Sequence, residues 1–332
     1  VSIFVTRVLV TGGTGFVGSN LTRALVNDGI EVRILRRERS ELRALGQVRV
    51  EHAIGDVRDY ESVRRAVHGC DIVYHTAAMV SYWKKQRSEM FEINIGGTAN
   101  IVRACLEGGV RKLIHTSSIA AIGHNTDGSP ADEETPFNWD RHNIGYRISK
   151  HKAEEVVLEG VKNGLFAVMV NPSIIMGPGD IHFHGGQIIR DVRRKRIFYY
   201  VKGGANIVFV GDVVRGHLAA AELGKTGSRY ILGGENLTHR DILTTVAEVV
   251  EGIRPLMRLP HSIVRLLATA SEEIANLTNR KPWIPRELAA SMPFHTWFSS
   301  AKATRELGFS STPFRKTVAL TYQWYLDNGL LT

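Results

Sequence analysis

The chain has 332 residues, 43% of them hydrophobic and 23% charged, enough for two domains or for one large domain with an appended lobe. That composition excludes a disordered, collagen-like or disulfide-scaffold protein, and no apolar run approaches the ~18 residues that an integral membrane segment needs. The net charge is +9, yet basic and aromatic residues do not interleave, which argues against a nucleic-acid partner.

The first apolar run, VSIFVTRVLVTGG, passes straight into a glycine turn, as a buried first strand does and a secretory leader does not. The strand is expected at residues 7–11, followed by Gly12, Thr14, Gly15, Phe16, Val17 and Gly18, with a helix over 15–27. In that context each glycine has a purpose: a tight turn, close approach of backbone to a pyrophosphate, and close helix–strand packing. The helix N-terminus adds unpaired N–H groups and a positive dipole end. A second strand at 31–36 ends in Arg36 and Arg37, where NAD-binding versions of this turn place an acidic residue. Guanidinium groups cannot accept ribose hydroxyl bonds but do fit a 2′-phosphate, so NADP(H) is expected over NAD(H). Two solvated arginines without a ligand are the alternative. A third strand at 48–52 leads to Asp56, placed to meet an adenine amino group, to Val57 beside it, and to a helix over 59–67.

Strand four, at 71–76, ends in Thr76 and continues into Ala77, Ala78, Met79, Tyr82 and Trp83. The last three are expected to face substrate, with ordinary packing as the other reading. A helix over 92–108 carries Asn94, grouped with the catalytic residues, whose amide can bond helix backbone or an ordered water. Strand five, at 111–117, delivers Thr116, Ser117 and Ser118 to the crevice where ligands of doubly wound folds bind. The helix over 144–163 then sets Tyr146 and Lys150 one turn apart on one face. A free phenol, with a pKa of about 10, is too weak an acid for neutral-pH catalysis, and a neighbouring ammonium, together with the positive nicotinamide of an oxidised cofactor, is expected to lower it. With strand six at 166–170, the alternation builds an α/β, Rossmann-type parallel sheet, doubly wound with helices on both faces.

Beyond Pro172 and Ser173 the rhythm changes. Residues 1–172 read as a dinucleotide-binding domain to which the chain returns at about 206–233, through strand-like IVFVGDVV and RYILGG. Residues 173–205 and 234–332 read as a smaller, mostly helical substrate lobe. There, His182 is a candidate substrate contact, and the apolar stretch 263–270 lines a greasy pocket or the lobe's interior. The basic run Arg190–Arg196 reads as a solvated helix face, with a phosphorylated substrate or an anionic membrane surface as the sharper alternatives. Cys70 and Cys105 stand alone, which favours a reducing, cytoplasmic setting, and no cluster has metal-site spacing.

TGGTGFVG at 11–18, HTAA at 75–78, NIGGT at 94–98, TSS at 116–118, YRISK at 146–150, NPSIIMGPGD at 171–180 and SSAKATRELGF at 299–309 together resemble an extended short-chain dehydrogenase/reductase, of the NAD-dependent epimerase/dehydratase superfamily. The resemblance implies a catalytic set of Ser118, Tyr146 and Lys150. It implies that Pro172 and Ser173 line the nicotinamide carboxamide, and that Ala77 and Ala78 pack near the ribose. It also implies a homodimer through the helices at 92–108 and 144–163. VNPSIIMGPGD is similar to dihydroflavonol reductases, 3β-hydroxysteroid dehydrogenases and hopanoid-associated epimerases, whereas Ile119-Ala120 lacks the carboxyl pair of sugar dehydratases. The leading expectation is an NADPH-dependent reductase of a fairly hydrophobic ketone or aldehyde. A nucleoside-diphosphate-sugar epimerase is the second, and a dinucleotide-binding sensor or scaffold without turnover the third.

Overall fold

A computed structural model describes residues 7–331, so the apolar run at 1–6 that precedes the first strand lies outside the described residues. In chain order the first half is β1 (Arg7–Thr11), α1 (Phe16–Asn27), β2 (Glu31–Arg36), β3 (Glu51–Ile54), α2 (Tyr60–Val67), β4 (Ile72–His75), α3 (Arg87–Phe91), α4 (Gly97–Glu107), β5 (Lys112–Thr116), α5 (Gly145–Lys162) and β6 (Ala167–Pro172). Next come β7 (Ile174–Met176), α6 (Gln187–Arg193), β8 (Tyr199–Tyr200), β9 (Gly204–Phe209), α7 (Val210–Leu223), β10 (Arg229–Leu232) and β11 (Glu235–Thr238). The chain continues with α8 (His239–Val249), β12 (Met257–Arg258), α9 (His261–Thr278), α10 (Arg286–Ser291), β13 (His295–Thr296), α11 (Ala301–Leu307) and α12 (Phe314–Asp327).

Seven strands form one parallel sheet in the order β10-β6-β5-β4-β1-β2-β3. Its inner strands are apolar on both sides because both sides are covered. Val8, Val10, Ile34, Tyr74, Ile114 and Val168 meet α1 and α7 on one face. Leu9, Leu35, Val73, Leu113 and Met169 meet α2, α4 and α5 on the other. The order reverses between β1 and β4, so the loops leaving those two strands diverge and open a crevice at their C-terminal ends.

A second sheet, β11-β9-β13 with β7 paired to β9, forms the base of the smaller lobe, which α6, α8 and α12 cover. Three elements depart from the sequence reading. The third strand lies at Glu51–Ile54 rather than 48–52. The helix expected over 92–108 begins as α3, widens to a π-turn at Glu92–Gly96 and resumes as α4. The apolar run IVFVGDVV is not one strand: β9 stops at Phe209 and joins the smaller sheet, while Asp212 takes part in the first turn of α7 and accepts from Thr312. Only β10 of that stretch rejoins the main sheet, beside β6.

Candidate active site

The glycine turn leaves β1 with Gly12 at φ +66°, a conformation L side chains rarely adopt. A Cβ on Gly12 would stand 2.8 Å from the Ala77 backbone, and one on Gly18 would stand 2.2 Å from the Gly12 carbonyl oxygen. The turn therefore presses on the segment leaving β4, and α1 presses on the turn. Gly15 caps α1 without a side-chain cap, and no acidic residue occupies the first turn, so the leading N–H groups face no competing carboxylate. Thr76 Oγ1 donates to the Thr11 carbonyl at 2.7 Å. His75 bridges Thr11 Oγ1 at 2.7 Å and Thr98 Oγ1 of α4 at 3.2 Å, and burial brings its pKa down to about 3. The HTAA segment thus fastens β1, β4 and α4 together with an uncharged ring.

The arginine pair divides its work. Arg36 is drawn inward, its Nε bonded to His52 Nδ1 at 2.9 Å and its Nη1 to the carbonyls of Arg37 and Glu38. Arg37 is exposed and helps to hold the Asp56 carboxyl below its usual range, although the bonded Arg58, at 2.8 Å, does most of that. Asp56, read from sequence as an adenine contact, spends both carboxylate oxygens on Arg58. Val57 is buried, and its carbonyl accepts from Asn100.

At the C-terminal end of β5, Lys150 Nζ donates to the Thr116 carbonyl at 2.8 Å. The lysine is 3% exposed, and burial lowers its pKa to about 8 against the opposing pull of Glu154. Tyr146, one turn earlier, has its phenol within hydrogen-bonding reach of Ser118. The Ser118 oxygen also accepts from Ala120 N at 3.1 Å, which fixes the hydroxyl at the mouth of the crevice. Burial raises the Tyr146 pKa, Tyr82 adds to that, and the Ser118 bond and Arg147 oppose it. The phenol is therefore held in its protonated, proton-donating form.

Tyr82 does reach this centre, edge-on to Tyr146 with ring centroids 5.7 Å apart. Trp83 does not present its polar edge there. It is buried, and its Nε1 donates to Asn276 of α9 at 3.2 Å, tying the segment to the smaller lobe. The Asn94 side-chain amide reaches across to Met79 and Ser149. Its Oδ1 accepts from Met79 N at 2.8 Å, and its Nδ2 donates to Met79 O and Ser149 Oγ, both at 2.9 Å, so neither N–H remains for water or substrate. The π-turn is what aims that amide across to Met79. The His182 side chain is 59% exposed and lies 3.9 Å from Glu41, in the loop after β2. Ser173 is buried with an unpartnered hydroxyl, at the point where β6 gives way to β7.

Sequence reasoning missed three groups. Asn171 bonds the Ser118 carbonyl at 3.0 Å and Glu154 at 2.6 Å, bracing the serine from below. Asp180 is fully buried and accepts from the backbone of His184, Gly185 and Gly186 and from the Tyr325 hydroxyl. Arg147 is 7% exposed and lies 3.8 Å over the Trp139 ring, with Nε and Nη1 unpartnered. Only its position beside Tyr146 could have drawn attention to it. A cavity of about 520 Å³ opens between β7, β9, α6, α8 and α9, with Ile174, Ile207, Leu243, Val264 and Leu267 among its walls. Tyr146 is not part of its wall; Ile174, next to Ser173, is the link between the two.

The family described as 3-beta hydroxysteroid dehydrogenase/isomerase matches residues 9–236. The chain belongs to that family. It is 34% identical to a putative dihydroflavonol 4-reductase of Synechocystis, over 96% of this chain and 94% of the relative. It is 33% identical to sterol demethylase protein B of Methylococcus capsulatus, over 97% and 99%. The UDP-glucose 4-epimerase of Thermus thermophilus, solved in complex with NAD, superposes with a TM-score of 0.77 at 26% identity, covering 97% of this chain and 99% of that one. This member of the 3-beta hydroxysteroid dehydrogenase/isomerase family is thus an NAD(P)-dependent enzyme of the extended short-chain dehydrogenase/reductase type.

Its residues fit a dinucleotide. The Gly12–Gly18 cradle would be filled by any Cβ at either end, the start of α1 is uncapped, and the orphaned Ser173 hydroxyl suits a carboxamide. The turn and α1 would hold the pyrophosphate, Arg37 the adenosine end, and Lys150 and Ser173 the nicotinamide end.

Proposed function

We propose that this family member is an NADPH-dependent reductase of a ketone or aldehyde on a fairly hydrophobic small molecule. The observation that carries the reading is the Tyr146 phenol, which burial holds protonated within reach of Ser118, beside a lysine anchored on Thr116. A bound reduced nicotinamide supplies two electrons, as hydride, to the carbonyl carbon. Ser118 holds the carbonyl oxygen, and Tyr146 gives it a proton as the C=O π pair moves onto oxygen. Lys150 then faces the phenolate that remains and stabilises it until solvent returns a proton. The walls of the 520 Å³ cavity, Ile174, Ile207, Leu243 and Val264 among them, favour an apolar substrate body. Met79 and Tyr82 would meet its reactive end.

Arg37, exposed at the end of β2 with no carboxylate in its place, supports NADPH over NADH. Packing of α4 on α5, with Leu106 and Leu158 partly exposed, supports a homodimer through those helices, and the two isolated cysteines support a cytoplasmic setting. The test is a panel of steroid, flavonoid, aldehyde and nucleoside-diphosphate-sugar substrates, followed at the nicotinamide absorbance band. NADPH consumption matched mole for mole by alcohol is expected with an apolar carbonyl. Epimerisation of a sugar nucleotide without net absorbance change would assign the chain to the epimerase reading instead.

A further inference from the structure

Helix α5 carries Tyr146 and Lys150, yet nothing in its own sequence caps its start. Ile144 stands at the N-cap position without a side-chain hydrogen bond, and the first turn holds no acidic residue. The leading N–H groups of a helix have no partner within it and favour a negative charge. Here the partner comes from 142 positions away. Glu287 of α10 reaches out of the smaller lobe, and its Oε2 accepts from Gly145 N at 2.7 Å. Gly145 immediately precedes the proton donor.

The carboxylate is held in place for that contact. The Glu287 side chain is 16% exposed, and Arg87 Nη1 lies 3.9 Å from its other oxygen. Arg87 also donates through Nη2 to Asn143 Oδ1 at 2.8 Å, fixing the left-handed residue two places before α5. A Cβ on Gly145 would stand 3.3 Å from the Arg87 side chain, so Arg87 packs directly on the start of the helix.

Helix α10 is placed by the same device. Pro285 at its N-cap position makes no side-chain bond, and buried Glu272 of α9 accepts from Arg286 N at 2.8 Å. Two carboxylates thus pass the position of one helix to the start of the next, from α9 through α10 to α5. The segment that carries Tyr82 is fastened to the same lobe. Lys85 Nζ donates to Asn279 Oδ1 at 2.9 Å, beside the Trp83–Asn276 bond. Ile284, Leu288 and Met292, before, within and just after α10, line the 520 Å³ cavity. The helix that borders the cavity is therefore the one that caps the catalytic helix.

We propose that Glu287 is a positioning residue for the proton donor: it caps α5 from the smaller lobe and so sets the first turn, and with it Tyr146, against the reacting carbonyl. The kinetic part of this statement rests on the proposed function, whereas the cap does not.

Hydrogen exchange and steady-state kinetics test the two parts separately. In Glu287→Ala the amides of residues 145–149 should exchange at least ~5-fold faster, with exchange in α4 and NADPH affinity unchanged. With 2-decanone and 2-butanone as probes, kcat should fall ~10-fold or more for both, while neither KM changes. Glu287→Gln keeps an acceptor for Gly145 N and should restore most of both losses. Unchanged exchange in the alanine variant overturns the cap. A raised KM for 2-decanone with kcat retained overturns the positioning role, because it makes Glu287 a support of the cavity wall alone. Failure of the glutamine variant to recover either property overturns the proposal as well. An intact chain that reduces neither ketone counts against the reductase reading, and the exchange result still decides the cap.

Discussion

Replacing Lys150 with methionine should stabilise the protein at neutral pH while abolishing turnover. Burial brings the Lys150 ammonium from the usual 10.5 to about 8. At 1.36 kcal/mol per pH unit, holding it charged at pH 7 costs about 3 kcal/mol of folding free energy. Methionine keeps the buried stem and removes the charge, but leaves the Thr116 carbonyl, bonded by Lys150 at 2.8 Å, without its partner. That loss is about 1–3 kcal/mol, so a net gain of about 0–2 kcal/mol is expected at pH 7. Glu154 keeps Asn171 and Arg229 as partners in either form. The sign follows from the lowered pKa. Between about pH 8 and 10.5 the unfolded chain binds the proton that the folded chain has released, so wild-type stability climbs through that window. The methionine variant has no such climb, and its advantage should shrink by about 3 kcal/mol and reverse. Urea unfolding of both proteins at pH 7 and at pH 10 measures the difference. A variant that is less stable at pH 7, or a difference that does not change with pH, would refute the account of a desolvated ammonium.

Three further substitutions probe the rest of the site. Tyr146→Phe should lower turnover by ~10²-fold or more with nearly unchanged NADPH affinity, and unaltered turnover would return the phenol to a structural role. Gly18→Ala places a methyl group 2.2 Å from the Gly12 carbonyl oxygen, so NADPH affinity measured by fluorescence titration should fall by about 10-fold or more. Arg37→Ala should weaken NADPH binding by roughly 10- to 100-fold and spare NADH. Equal losses for the two cofactors would move the 2′-phosphate elsewhere.

The strands of the main sheet were legible where burial on both faces made them continuous apolar runs, as in RVLVT and EVRILR. The third strand was misplaced because Glu51, His52, Ala53 and Ile54 are an edge segment with no buried residue, and edge strands carry no such run. The pairing of Tyr146 with Lys150 was legible because helical spacing sets them one turn apart within one element. What supports them was not, because it acts over long separations. Asn94 bonds Met79 and Ser149, and Asn171 braces Ser118 from 53 positions away. The smaller sheet was invisible for a different reason. Its strands β7 and β13, at Ile174–Met176 and His295–Thr296, have too few residues to show a period. The exposed side of α9 reads in sequence like an interior helix, since leucine spacing does not say which of two apolar faces meets solvent.

The Asp180 carboxylate is a keystone whose far abutment is α12. Three backbone N–H groups of the His184–Gly186 turn and the Tyr325 hydroxyl converge on it, while the Asn20 amide of α1 grips the neighbouring Pro178 carbonyl at 3.0 Å. The arch between the glycine turn and the cavity wall therefore takes part of its thrust from α12, which supplies no residue to that wall. Random mutagenesis for altered substrate range should accordingly return hits in α12 around Tyr325, far along the chain from every chemical group.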